Sequence, residues 1–171
     1  EPTPERRLQI DAFFRTLAEQ HGDGAAVILS GSGSDGAVGI RAIKEQGGIV
    51  YLPHPFDRLH TVPSPAVLRA NVADIDVVEV FNSRLAFPGF NELAERFARR
   101  YRLPAAAGSD AHVLPGIGTT LCGMDDFTGP DDFARALAES RIVRRPRSRL
   151  YLQSLKLLQT TMAGVSRGEG Q

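Results

Sequence analysis

An α/β fold is predicted, with a mainly parallel sheet of βα units, open or closed into a partial barrel, and a C-terminal helix. Three observations predict it. Short apolar runs such as "AAVILS", "IVYL" and "DVVEVF" are each bounded by turn residues, as buried parallel strands are. Between them lie stretches whose apolar residues recur at helical spacing. The alternation of the two patterns gives βα units with right-handed crossovers. The 171 residues, 42% of them hydrophobic, suit one domain with a packed core. Five or so strands fall short of the usual eight of a closed barrel, which favours the open or partial form.

Thr3 and Pro4 read as cap and first residue of a helix. Ile10, Phe13, Phe14 and Leu17 carry that helix to about Gln20. "AAVILS" is the first strand, "GSGSDG" its turn, and Asp35 caps a helix over Gly36 to Gln46. Gly47 and Gly48 stop it, and "IVYL" follows as a strand. Ser64-Pro65 opens a weaker helix, and "DVVEVF" is the next strand. Phe90, Leu93, Ala94, Phe97, Ala98 and Tyr101 keep the i, i+3, i+4, i+7 pattern of a helix closely. "LPAAAG" and "GTTLCGM" read as strands and "GPDDFARALAES" as a helix. Residues 1–145 thus form one mosaic α/β domain. Residues 146–171 form a basic linker, a terminal helix with the stripe Tyr151, Leu155, Leu158 and Met162, and a disordered tail. The basic run "RIVRRPRSR" is expected to be solvated, with the helix docking behind it.

Composition narrows the function classes. Net charge is zero and pI is near 7.2, so no nucleic-acid partner is expected. The one cysteine, Cys122, forms no internal disulfide, which fits a reducing, cytoplasmic setting. No run of about 18 apolar residues suggests a membrane span. "EPTPERR" lacks the apolar stretch of a signal peptide, and the absence of an initial methionine fits a piece of a longer chain.

"GSGSDG" (Gly31 to Gly36) matches G-x-G-x-x-G after a strand and before a helix. A dinucleotide's pyrophosphate would there meet the Asp35 carboxylate, and the second strand ends in proline and histidine rather than a ribose-binding acid. A tight turn whose glycines adopt unusual backbone angles is the simpler reading. The helix "IDAFFRTLAE" and the turn "ILSGSGSDGAVG", within about residues 4–50, resemble the C-terminal part of CheB-type chemotaxis protein-glutamate methylesterases. That resemblance gives Asp35 the place of the acid in a Ser-His-Asp triad and implies a chemoreceptor as partner. The chemistry also needs a serine nucleophile and a histidine base. Ser30, Ser32 and Ser34 match no G-x-S-x-G elbow, and the family's upstream nucleophile and base segments are not found. Asp35 is then an orphan acid that caps a helix.

His54 ends the strand "IVYLP", and Asp110 and His112 follow "LPAAAG". Both places are C-terminal strand ends, the usual ligand face of parallel α/β folds. An Asp-x-His pair can offer a hard oxygen and an imidazole to one divalent cation, with a third ligand from a neighbouring strand. The blander readings are a loop His-Pro and a capped turn. "GGIVYLPHPFDRL", "ADIDVVEVFNSR", "NELAERFARRYRLPAAAGSDAH" and "IGTTLCGM" together resemble the C-terminal half of a PHP (polymerase and histidinol phosphatase) domain, over about residues 42–145. The resemblance implies a metal-dependent phosphoesterase acting on a small phosphorylated substrate. His54, Asp110 and His112 then fall on ligand positions for zinc, manganese or iron; His21 and His60 fall on none. The family's opening His-x-His strand is replaced by the methylesterase-like segment, so metal binding is expected to be weak and activity low or absent. The two segments meet within about Arg41 to Val50. A non-catalytic scaffold is the rival reading, and an apolar edge left by a half-barrel would favour a homodimer.

Overall fold

A computed structural model describes residues 9–20, 26–27, 37–59, 62–145 and 148–168 of the chain. Among these, strands β1 (Ala26–Val27), β2 (Val50–Leu52), β3 (Val77–Asn82) and β4 (Ala105–Gly108) form a parallel sheet in the order β1-β2-β3-β4. Spatial order follows chain order, so successive crossovers step the same way. A doubly wound sheet reverses direction at a switch point; this one does not among the described residues. The winding is that of a barrel segment left open, which agrees with the expected open, mainly parallel α/β fold.

β3 shows how the sheet divides its faces. Its side chains alternate, as strand geometry requires. Val78 and Val80 point into a cluster with Leu52, Leu68, Ile75, Ala94, Phe97 and Ala98. Leu68 comes from α3 (Pro65–Ala70), and Ala94, Phe97 and Ala98 from α4 (Pro88–Tyr101). Ser64 caps α3 by accepting the Val67 amide on Oγ at 3.3 Å, and Pro65 fills a first-turn position where a missing N–H costs little. α4 stops at Arg102, which adopts a left-handed conformation with φ 56°.

Val77 points to the opposite face, with Ala106 and Leu137 and the half-buried Tyr51, Cys122 and Phe133. That face is covered by Phe133 and Leu137 of α5 (Pro130–Ala138) and by Cys122 of β5 (Thr120–Gly123), which pairs antiparallel with β6 (Arg141–Arg144), whose Ile142 packs against the Val78 cluster. Glu79 shares its parity with Val77 and so lies on this face, just before a register shift between Glu79 and Phe81.

The first part of the chain forms its own cluster. Phe14 and Ala18 of α1 (Gln9–Gln20) meet Ile40 and Ile43 of α2 (Ala37–Glu45) over Val50. Asp35, the loop Gly31 to Gly36, Thr3-Pro4, His21 and His60 lie outside the described residues.

Two expectations are corrected. The basic run after Ser140 is not wholly a solvated linker, because its first residues form β6. Ile142 and Val143 are half-buried between the exposed Arg141 and Arg144, and the Arg144 guanidinium stacks 4.1 Å from the Phe81 ring centre. The terminal helix α6 (Arg149–Gly168) continues through residues read as a tail, and it docks by a face that shares only Leu155 with the described part of the expected stripe. Tyr151 and Leu158 are 46% and 58% exposed, whereas Leu152, Leu155 and Lys156 are half-buried. Met162 lies among residues whose side chains are not described. Among the described residues no helix is long and apolar enough to cross a membrane.

Candidate functional site

The C-terminal ends of β2, β3 and β4 bring polar residues together around one buried carboxylate, Glu79. It is 5% exposed although it stands in the middle of an apolar strand. Its Oε2 accepts the His54 amide at 2.7 Å and the Asn82 side-chain amide at 3.1 Å. The Tyr51 hydroxyl lies close enough to the same carboxylate to feel its charge. On the neighbouring strand Gly108 leaves the space that Glu79 needs: a Cβ there would stand 2.1 Å from Oε1. Burial raises the Glu79 pKa above its ordinary value of 4.5, and the charge of Asp110 adds to the rise. The hydrogen bonds from Asn82 and His54, and the His54 charge, oppose it without cancelling it. Burial, then the nearby Glu79 and Cys122, push the Tyr51 hydroxyl far above its ordinary value.

His54 follows β2 and Pro53 in a left-handed conformation, φ 26°. A non-glycine residue there is strained. Its amide is fixed by Glu79 and its carbonyl accepts the Asp57 amide at 3.1 Å, so bonds on both sides hold the turn. The imidazole is thereby set at the sheet edge beside Glu79.

Asp110 follows β4, also at positive φ, 46°. Its Oδ2 accepts from Arg84 at 3.3 Å. Arg84 is itself placed by its amide, which donates to Asn82 Oδ1 at 2.9 Å. Asn82 is anchored in turn by reciprocal bonds with Asn91 of 2.9 and 3.2 Å. The His112 ring places Nδ1 2.9 Å from the Asp110 carbonyl and 3.5 Å from Oδ1. A carbonyl can only accept, so Nδ1 carries the proton and the neutral ring keeps its lone pair on Nε2. Ser83 Oγ, 2.9 Å from Thr119 Oγ1 and 3.3 Å from the Ser109 carbonyl, ties down the loop that follows.

Asp110 and His112 therefore share a cleft of about 50 Å³, with Arg84, Gln153 and Lys156 among its walls. His54 is not among the residues lining it. The structure brings Asp110 and His112 together and holds His54 against Glu79, on the other side of the same polar group. Among the described residues no group of three or more His, Cys, Asp and Glu could hold a metal ion. With Asp110 Oδ2 taken by Arg84, the side chains as placed do not fit a complete metal centre.

Glu79, Asn82, Arg84 and Lys156 were not anticipated from the sequence. One signal could have found Glu79: of the two acids in "DVVEVF", Asp76 stands at the strand's start, whereas Glu79 is flanked by valines on both sides and must be buried on one face of a parallel strand. Arg84 and Lys156 carry no such mark, since surface basic residues are common.

Two family models match the chain. The CheB methylesterase model covers residues 2–80 and the PHP-associated model residues 88–142. An uncharacterized protein of Methanocaldococcus jannaschii is 37% identical over 98 residues, 54% of this chain and 41% of that protein. A protein-glutamate methylesterase/protein-glutamine glutaminase of Moorella thermoacetica is 40% identical over 67 residues, 39% of this chain and 16% of that protein. A putative protein of the same description from Leptospira interrogans is 44% identical over 51 residues, 29% of this chain and 26% of that protein. The chain spans less than half the length of these relatives. No solved structure matches it. His54 and Glu79 fall in the first match, Asp110 and His112 in the second, and Arg84 in the gap between them. The chain is thus a composite of two parts, a CheB methylesterase-like region over residues 2–80 and a PHP-associated region over residues 88–142.

Proposed function

We propose that the chain is a hydrolase-derived domain in which a PHP-like phosphoesterase site survives in reduced form. On this reading Asp110 and His112 offer one divalent cation an incomplete shell, His54 stands apart beside Glu79, and turnover of small phosphoesters is poor or absent. The observation that carries it is the state of the Asp110-His112 turn. His112 gives its Nδ1 proton to a backbone carbonyl at 2.9 Å, the arrangement that commonly orients a ligating imidazole. Arg84 meanwhile occupies the carboxylate oxygen that a cation would need. A site with one ligand preset and the next neutralised by a guanidinium binds a cation weakly. The PHP-associated match, which contains both residues, supports the reading.

The test is metal content after loading and dialysis, with hydrolysis of bis-p-nitrophenyl phosphate measured beside it, for wild type and His54→Ala/His112→Ala. We expect less than one metal per chain, lost in the double variant, and hydrolysis near background. Equal metal content in the two proteins would overturn the metal site. Rapid turnover abolished by the double variant would overturn the reduced state.

A second reading, a fragment of a CheB-type methylesterase with Asp35 as the orienting acid, is favoured by the match over residues 2–80. It requires a serine and a histidine partner. Stoichiometric labelling of the chain by a serine-directed phosphonate would establish it in place of the first, with a chemoreceptor as the substrate protein.

A further inference from the structure

α6 meets the rest of the chain along one side only. Leu152, Leu155 and Lys156 are half-buried, and Leu152 and Lys156 line the cleft at the Asp110-His112 turn. The opposite side faces solvent. Leu150 and Leu157 are 84% and 69% exposed there, and Tyr151 and Leu158 are exposed with them. At about 100° per residue, these four and the intervening Ser154 and Thr161 fall within an arc of about 120°. No charged residue between Leu150 and Thr161 falls in that arc. Its two hydroxyls add little polarity, because each is turned onto the helix's own backbone. Ser154 Oγ donates to the Tyr151 carbonyl and Thr161 Oγ1 to the Leu157 carbonyl, both at 2.8 Å.

Charge is segregated beside this apolar face. From Ser140 to Gly168 there are seven lysines and arginines and no acid. The whole chain has 20 basic and 20 acidic residues, so the rest of it carries the opposite excess. Arg141, Arg144, Arg145 and Arg147 precede the helix, and the first three of these residues are exposed. Ser148 starts the helix directly after them, its Oγ accepting the Tyr151 amide at 3.4 Å. A concentrated positive charge thus lies within a few residues of an outward apolar stripe. The anionic surface of a bilayer complements both, attracting the arginines and taking up the apolar side chains. A nucleic acid would complement the arginines alone and leave four large apolar side chains in water. A second copy would cover the stripe but bring two basic runs of like charge together.

We propose that α6 and the basic run before it form a peripheral docking surface for an anionic lipid membrane. The helix lies in the plane of the interface, with Leu150, Tyr151, Leu157 and Leu158 in the boundary between headgroups and acyl chains. It does not span, in keeping with the absence of a sufficiently long and apolar helix among the described residues. α6 lies beyond both family matches, so the proposal stands apart from the hydrolase reading.

The experiment is flotation of the chain with vesicles of phosphatidylcholine alone and of phosphatidylcholine mixed with phosphatidylserine. The proteins are wild type, Arg145→Gln/Arg147→Gln and Leu150→Ser/Leu157→Ser, with urea unfolding to verify that each variant is folded. We expect binding to the mixed vesicles and little to the neutral ones. Each arginine removed should weaken it about fivefold, and the leucine double variant should bind at least about tenfold more weakly. The chain has no tryptophan, so Leu157→Trp supplies a reporter whose emission should shift to the blue on the mixed vesicles. Equal binding by wild type and the folded leucine variant, or an unshifted tryptophan, would overturn the proposal. So would retention of a duplex DNA oligonucleotide without vesicle binding, which would assign the basic run to nucleic acid. A dimer seen by light scattering, dissolved by Leu150→Ser/Leu157→Ser and without vesicle binding, would overturn it in favour of a second copy.

Discussion

Gly108→Ala should destabilise the protein by breaking a contact two strands share. A Cβ at this position would lie 2.1 Å from Glu79 Oε1 and 3.3 Å from Cδ, so the carboxylate must move. It cannot move freely, because Oε2 holds the His54 amide at 2.7 Å and the Asn82 side chain at 3.1 Å. Overpacking alone costs about 1–3 kcal/mol. Losing a hydrogen bond to a charged group adds about 1.5–3 kcal/mol. Burial favours protonated Glu79, which weakens that second contribution, so we expect a total of about 2–4 kcal/mol. Urea unfolding reads this as a midpoint shift at unchanged slope. The decisive comparison is Gly108→Ala in a Glu79→Ala background, where the new methyl meets open space. There it should cost less than about 1 kcal/mol, since the backbone at Gly108 is not in the left-handed region. Costs that add to within about 0.5 kcal/mol in the two backgrounds would refute the close approach as the cause.

Two further predictions follow from the same geometry. The folded state raises the Glu79 pKa above 4.5, so Glu79 contributes stability that is present below its unfolded value and lost as pH rises through the folded one. The stability of wild type relative to Glu79→Gln should therefore fall as pH rises above about 4.5, and unfolding curves in which that difference stays flat or grows would contradict it. On α6, Leu155→Ala should lower stability by about 1 kcal/mol, while Leu158→Ala, at a position 58% exposed, should stay within about 0.5 kcal/mol; equal losses in the two variants would show that the helix docks by the whole stripe read from the sequence.

The fold was legible because its strands are apolar runs and its helices carry local start signals. "IVYL" and "DVVEVF" became β2 and β3 with shifts of a residue at the ends, and Ser64-Pro65 opened α3 as its chemistry requires. β6 was not legible because its arginines dominate the local composition. Only pairing with β5, some twenty residues away, makes Ile142 and Val143 a strand, and no local pattern encodes such a partner. The docking face of α6 was read only in part, for a related reason. Leu150, Leu152, Leu155, Leu157 and Leu158 surround the helix, so several stripes are equally apolar and tertiary contact chooses among them. His54, Asp110 and His112 were legible as residues at strand ends. Their separation was not, because it depends on Glu79 and Arg84, each reaching across to a neighbouring strand.

The seam lies well past the stretch Arg41 to Val50 where the sequence alone suggested it, because the methylesterase-like match runs on to residue 80, and the polar side chains around β3 show where. Asp74 and Asp76 reach back to α2 and β2: Arg41 meets Asp74 at 3.2 Å, Lys44 pairs with Asp76, and the Val50 amide donates to Asp76 Oδ2 at 2.7 Å. Glu79 reaches back to His54. From Asn82 onward, apart from the Asn82 side-chain amide on Glu79, the reach is forward, to Asn91, and through Arg84 to Asp110. Reach changes direction between Glu79 and Asn82, where the methylesterase-like match ends at residue 80 and shortly before the PHP-associated match begins at residue 88. The exposed Arg41-Asp74 pair contributes little, about 0–1 kcal/mol for a surface ion pair. The part-buried amide-to-carboxylate bond at Asp76 is of the kind worth about 1.5–3 kcal/mol and the one at Glu79, whose charge burial disfavours, is worth less, so these two side chains hold β2 to β3. A join of two family segments is tolerable here because the strand at the seam supplies ordinary parallel pairing on both sides and charged acceptors on one. The same seam divides the candidate site, leaving His54 with Glu79 on one side and the Asp110-His112 turn with Arg84 on the other.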